Sequence, residues 1–259
     1  MIGVDTSTLS SLRSIACCAA RSDLVRIGAI HSLGSWLISS FLSESEDEEQ
    51  ATAIGSLLAV CNSKESEALQ EGAVRAIGSL ARLPSLRPLL LRLGGGQALL
   101  KLLLSERAER GQSETLLASV LDAMCKLSDE PSICQALSST CAVDKLIQAR
   151  RAPCERTAER GGHLLCDLVA EGCLSPSLFF QKDLCSELVH HAVLNDKCKE
   201  EAVWAIALLA GKQEIALTLA SRTDVIKLLL AATEESEAIC LQVPPQPSLT
   251  LPDLLTALM

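Results

Sequence analysis

The chain has 259 residues, 48% of them hydrophobic but only 2% aromatic, with no tyrosine. That composition supports a continuous core of Leu, Ile, Val and Ala, side chains that let helices pack closely. A net charge of −9 argues against a nucleic-acid partner, which needs a basic stripe to displace counterions from phosphates. Twelve cysteines occur without a Cys-x-x-Cys pair or a zinc-type Cys/His spacing. Most sit among apolar neighbours, where a reduced thiol acts as a small hydrophobe. The expectation is a cytoplasmic protein with reduced thiols, no structural metal and no cofactor. Met1-Ile2-Gly3-Val4-Asp5 has neither the basic start nor the apolar run of a secretory signal.

The spacing of Leu9, Leu12, Ile15 and Ala16 predicts a helix over 7–20. Cys17 and Cys18 are helix residues or, alternatively, palmitate acceptors. Residues 24–42 come nearest to a membrane span, but Arg26 and His31 interrupt them, so a buried helix is expected and no span. Within this stretch, 28–37 reads as the third helix of a repeat. The acidic run 44–49 leads into a helix over 50–62, where carboxylates favour the helix dipole; an acidic docking site is the alternative. A helix over 66–83 stops at Pro84. Helices over 85–93 and 97–104 flank Gly94-Gly95-Gly96, a turn and not a phosphate loop, because no Gly-Lys-Ser/Thr ending follows. Helices over 113–128, 132–138, 142–150 and 155–171 come next. Gly161-Gly162 inside the last predicts close contact with a neighbouring helix. Segments 177–182, 183–194, 197–211, 213–221 and 224–233 complete the pattern. Val243-Pro244-Pro245-Gln246-Pro247 is an extended linker. The boundaries are therefore 1–235 for a helical repeat domain and 236–259 for the linker and a short apolar tail.

One string recurs along the chain. It reads Ala53-Ile54-Gly55-Ser56-Leu57, Ala76-Ile77-Gly78-Ser79-Leu80, Ala123-Met124-Cys125-Lys126-Leu127, Leu165-Cys166-Asp167-Leu168 and Ala205-Ile206-Ala207-Leu208-Leu209. The closing leucines are 23, 47, 41 and 41 residues apart. A helical unit of about 40–47 residues is the period of armadillo and HEAT repeats. The predicted class is an all-α, armadillo/HEAT-like right-handed α-solenoid of about five three-helix repeats, each burying its apolar face against its neighbours. The half-step of 23 suggests that a helix or two is missing or fused after Gly72.

Lys199-Glu200-Glu201-Ala202-Val203-Trp204-Ala205-Ile206 resembles the second helix of an importin-α or catenin repeat, and Gly28-Ala29-Ile30-His31-Ser32-Leu33 the start of the third. An asparagine ladder follows in those peptide-binding proteins. Here the column reads Ser56, Ser79, Lys126, Asp167 and Leu208, so the resemblance does not extend to nuclear-signal binding, although Trp204 is in place. A narrower resemblance covers about 10–230. Asp23-Leu24-Val25-Arg26-Ile27-Gly28-Ala29 resembles the entry motif of armadillo-type nucleotide-exchange factors of the DnaK/BiP class of heat-shock 70 chaperones. Ala68-Leu69-Gln70-Glu71-Gly72-Ala73 resembles the end of their next unit. Ala76-Ile77-Gly78-Ser79-Leu80-Ala81-Arg82, then Pro84, then Leu91-Arg92-Leu93-Gly94-Gly95 resembles their central repeat. The resemblance implies a clamp on the nucleotide-binding domain of a DnaK-class chaperone, holding its cleft open so that ADP leaves. The alternative is a general armadillo scaffold, or an accessory subunit of a large assembly.

No Gly-x-Ser-x-Gly, His-Glu-x-x-His or P-loop occurs, so no catalytic residue is assigned and no enzyme is expected. His163 and Cys166, three apart, supply only two metal ligands. The candidate partner-binding groove is lined on one side by second-helix residues Ser79, Lys126 and Asp167. Third-helix residues Lys101, Gln148, His190 and Lys227 line the other, each at a polar slot between apolar neighbours. The expected partner is a protein, with the chain a monomer or one subunit of a hetero-complex.

Overall fold

The computed structural model describes residues 6–18, 21–41, 47–63, 66–105 and 114–235. Among them lie fifteen helices and no strand. They are α1 (Thr6–Cys17), α2 (Asp23–Phe41), α3 (Asp47–Asn62), α4 (Glu67–Leu80), α5 (Arg87–Arg92), α6 (Gly95–Leu103), α7 (Glu114–Cys125) and α8 (Pro131–Leu137). Then follow α9 (Thr140–Arg150), α10 (Glu155–Ala170), α11 (Pro176–Gln181), α12 (Leu184–Ala192), α13 (Asp196–Ala210), α14 (Gln213–Ala220) and α15 (Thr223–Glu235). The predicted linker and tail at 236–259 lie outside the described residues, as does the start of the acidic run. Among the described residues no helix is long and apolar enough to cross a membrane.

Local chemistry sets the helix ends. Ser139, Ser175 and Asn195 precede α9, α11 and α13 in extended backbone, and each side-chain oxygen accepts a helix N–H. Pro176 opens α11, where its missing N–H costs nothing. Gly94 enters α6 with φ of 89°, which only glycine adopts cheaply. Side chains close helix C-termini too. Buried Gln70 donates to the carbonyls of Cys61 in the last turn of α3 and of Ser63 just after it, at 3.1 and 2.6 Å. Arg87 Nε donates to Ala81 after α4 at 2.8 Å.

The chain divides into two compact units, 1–133 and 134–259. In the first, α2, α4 and α7 pack in series as one layer, and α1, α3 and α6 as a second layer against it. In the second unit α10 packs on α13, and α12 lies between α9 and α15 in the other layer. Short α5, α11 and α14 bridge into these layers. The repeat is thus a short helix, a middle helix and a long helix, as in α11–α12–α13. Ser79, Lys126 and Asp167 belong to the third, long helices or their ends. Lys101, Gln148, His190 and Lys227 belong to the middle ones, the reverse of the order read from the sequence.

All five marker leucines are buried. Leu57, however, is on α3 and Leu80 on α4, successive helices in opposite layers. The step of 23 is therefore a crossing between layers, and no helix pair has to be missing. The member of the third-helix layer before α4 is α2, which runs unbroken from Asp23 and does not start at Gly28. Gly34 and Gly78 mark its true repeat. A Cβ on Gly34 would lie 3.1 Å from Ala76 Cβ, and one on Gly78 3.3 Å from Ala123 Cβ. Small residues there let α2, α4 and α7 approach closely.

Gly161 and Gly162 also meet the expectation of close contact. A Cβ on Gly161 would sit 2.8 Å from Arg150 N, and one on Gly162 would overlap the buried imidazole of His191. In an exposed helix, glycine to alanine gains about 1 kcal/mol of helix propensity. Gly162→Ala is expected instead to destabilise the protein by about 1–3 kcal/mol, because the methyl overpacks the α10–α12 contact. A thermal melt reads the sign, and a raised Tm would contradict the packing described.

Salt bridges tie successive repeats within each unit. Arg87 pairs with Asp129, Lys182 with Asp144, and Arg222 with Asp183. None of the eleven described cysteines forms a disulfide with another. Burial pushes the Cys61 thiol up to about 12 and that of Cys185 to about 11, so these thiols stay protonated at neutral pH.

Candidate functional site

In the first unit, α2 and α4 border a cleft of about 380 Å³. Ile27, Ile30 and Ile38 of α2 form its apolar wall, while His31, Ser35, Arg75 and Ser79 contribute polar groups. Gly34 against Ala76 sets the helix separation. Ser79 is half-buried, and its hydroxyl donates back to the Arg75 carbonyl at 3.0 Å. Lys126 follows α7 and pairs with Asp122. Its Nζ is 3.4 Å from where a Cβ on Gly78 would stand, so Lys126 lies over α4 next to Ser79. These two predicted residues are brought together. Lys101 is exposed on α6, in the other layer.

In the second unit Asp167 is half-buried on α10, with its Oδ2 3.5 Å from His163 Nε2. Gln148, His190 and Lys227 are exposed on α9, α12 and α15, again in the other layer. Trp204 on α13 is 39% exposed. Within each unit the predicted columns lie on separate layers, and of the predicted residues Ser79 alone is among those lining the cleft.

Sequence reading missed Ser35. The signal was present: Gly34-Ser35 on α2 repeats Gly78-Ser79 on α4, and both serines reach the cleft. It also missed a polar cluster that joins three helices. His163 Nδ1 lies 3.0 Å from Glu201 Oε1, and His191 Nε2 3.3 Å from Glu201 Oε2. The His163 contact is a close charge pair without a well-directed N–H, since Nδ1 makes no hydrogen bond of good geometry. Burial pushes the Glu201 carboxyl up, yet the close contacts and charge of the two histidines outweigh it and hold the group at about 2. The close contact with Glu201 raises His163 in turn. The partner of His163 is thus Glu201 on α13, three helices away in sequence, and not Cys166 one turn along α10.

Among solved structures the chain is similar to designed armadillo repeat proteins. One, designed computationally for modular peptide recognition, is 16% identical with a TM-score of 0.67, covering 96% of this chain and 99% of that one. Another, solved in complex with the peptide (KR)4, is 17% identical with a TM-score of 0.61, covering 97% and 99%. An engineered protein is 13% identical with a TM-score of 0.65, covering 96% and 98%. The fold is an armadillo-like all-α solenoid. No protein-family model matches the chain, and no curated protein matches it.

Proposed function

We propose that the chain is a non-enzymatic protein-interaction module, and that its partner is the nucleotide-binding domain of a DnaK-class heat-shock chaperone, from which it promotes ADP release. The observation that carries the broader reading is the α2–α4 cleft: a concave, mainly apolar site with a few polar groups, suited to a partner's side chains. Similar folds designed for modular peptide recognition, one holding (KR)4, support it. The narrower reading rests on resemblance. Of the stretches that resemble armadillo-type exchange factors, Asp23–Ala29 lies on α2, and Ala68–Ala73 and Ala76–Leu80 lie on α4, the two helices that border this cleft.

Ser79, Lys126 and Asp167 are assigned to the partner-facing third helices. Lys101, Gln148, His190 and Lys227 are assigned to a second contact on the middle helices. The mechanism is linkage. A clamp that prefers the open chaperone lowers ADP affinity by the same factor by which ADP lowers the clamp's own affinity.

Added to a cytosolic DnaK-class chaperone preloaded with fluorescent ADP, the protein is expected to accelerate release, and ATP to dissociate the complex. Ser35→Arg with Ser79→Arg fills the cleft from partly exposed positions and should weaken binding at least tenfold. Lys101→Glu with Lys227→Glu should weaken binding and its salt dependence without lowering Tm. If ADP release is unchanged at saturating protein, the chaperone reading fails. A stable stoichiometric complex with another protein, abolished by the cleft variant, then supports the scaffold reading in its place.

A further inference from the structure

We propose that His191, Cys198 and Glu201, completed by His163, form a binding site for a single zinc-class divalent ion. The donors come from three packed helices: His163 from α10, His191 from the last turn of α12, and Cys198 and Glu201 from the start of α13. Cys198-x-x-Glu201 places thiol and carboxylate one turn apart on one face of α13. A nitrogen of His191, the Cys198 sulfur and a Glu201 oxygen all lie within 4.8 Å of one another. Tetrahedral zinc with ordinary bond lengths holds its donors about 3.3–3.8 Å apart, so small side-chain rotations close the shell. His163 lies outside that three-residue cluster, but its Nδ1 is 3.0 Å from Glu201 Oε1, from which a side-chain rotation brings it to the fourth position.

The surroundings suit an ion better than a simple ion pair. Two neutral imidazoles, one thiolate and one carboxylate around a divalent cation make a neutral site, which suits burial. His191 is fully buried, and its Nδ1 has no hydrogen-bond partner and is sealed against Gly162. Packing thus fixes the ring with Nε2 toward Glu201. The far nitrogen of His163 lies 3.5 Å from Asp167 Oδ2, a carboxylate close enough to take its N–H once the ring turns onto an ion. Asn195 Oδ1 accepts the Cys198 N–H at 3.0 Å, and Asn195 Nδ2 donates to Glu159 of α10, so the start of α13 is anchored to α10. Cys198 is buried, while Glu201 and His163 keep 19% and 26% side-chain exposure, which leaves an entry path. Binding displaces the proton of the Cys198 thiol and any proton shared between the histidines and Glu201, releasing them to water. Four protein donors leave no open position, so the ion joins α10, α12 and α13 and does no chemistry.

The test uses the full chain, stripped with chelator and titrated with Zn²⁺ or with Co²⁺ as a spectroscopic probe. Expected are one ion per chain by elemental analysis, tetrahedral cobalt bands in the visible and a thiolate-to-cobalt band in the near ultraviolet. Zn²⁺ should raise Tm. Cys198→Ser, nearly isosteric and checked for helix content by circular dichroism, should lose the thiolate band and weaken binding by about 100-fold or more. His163→Gln, at a half-exposed position, should weaken binding while leaving the metal-free Tm within a few degrees. No stoichiometric ion in excess Zn²⁺, an octahedral cobalt spectrum, or a thiolate band that survives Cys198→Ser would each overturn the proposal.

Discussion

Replacing Glu187 by alanine is expected to destabilise the second unit by about 3–5 kcal/mol, the largest single-site loss predicted for this chain. Glu187 lies on α12 with a side chain only 2% exposed. Its Oε2 accepts from Arg150 Nε at 2.7 Å, and its Oε1 accepts from Arg151 Nε at 3.0 Å and from Arg151 Nη2. Both arginines end α9, so the carboxylate joins two middle helices of successive repeats. Removing it strands the Arg150 guanidinium, itself 11% exposed, in a poorly hydrated site. Arg151 is 63% exposed, and Arg151→Ala should cost under about 1 kcal/mol.

The sign of the pH dependence follows. Burial pushes the Glu187 carboxyl up, but hydrogen bonds and charge from Arg151 and Arg150 outweigh it and hold the group below its ordinary 4.5. A lowered folded value stabilises above the unfolded value, and the contribution is lost as pH falls through the folded one. The gap in urea midpoint between wild type and Glu187→Gln should therefore be full at neutral pH and shrink as pH falls below about 4.5. An apolar pair of similar volume, Arg150→Met with Glu187→Leu, should recover most of the loss, because no buried charge is then left alone. A Glu187→Ala variant within 1 kcal/mol of wild type at neutral pH would falsify the buried ion-pair account.

Leu168→Ala is expected to cost about 2–5 kcal/mol. Leu168 is completely buried on α10, which packs against α9, α12 and α13, so the cavity is walled on several sides and cannot collapse easily. Leu57, Leu80, Leu127 and Leu209 are equally enclosed, and each should lose a comparable amount. Leu217 on α14 is 79% exposed, and Leu217→Ala should stay within about 0.5 kcal/mol. Chemical denaturation of the pair reads the difference. Equal losses at positions 168 and 217 would mean that α10 is not the core helix described.

Helices were legible where their signals are local. The turn at Gly94 and the close approach at Gly161-Gly162 depend on backbone sterics within a few residues, and both occur; α4, however, ends at Leu80 before the predicted stop at Pro84, and Gly95 and Gly96 open α6. Layer assignment was not local. Ala53-Ile54-Gly55-Ser56-Leu57 and Ala76-Ile77-Gly78-Ser79-Leu80 carry the same pattern because every helix with a buried small-residue face does. Only the packing of α3 on α4 places them in opposite layers. The same ambiguity put Ser56 in the ladder column where Ser35 belongs.

The site residues divide in the same way. Ser79 and Lys126 lie close together because the repeat period carries them to successive helices of one layer. Lys101, Gln148, His190 and Lys227 share a period too, but period alone does not say which layer a column faces.

By itself the sequence determined the helical class, the repeat length and the buried leucines. Those follow from hydrophobic periodicity, which each helix expresses whatever it packs against. The tertiary structure alone decided which helices stack, where α2 and α4 leave a cleft, and that His163, His191, Cys198 and Glu201 meet. Such meetings depend on the separation and rotation of helices distant in sequence, and residue spacing along one helix carries no record of them.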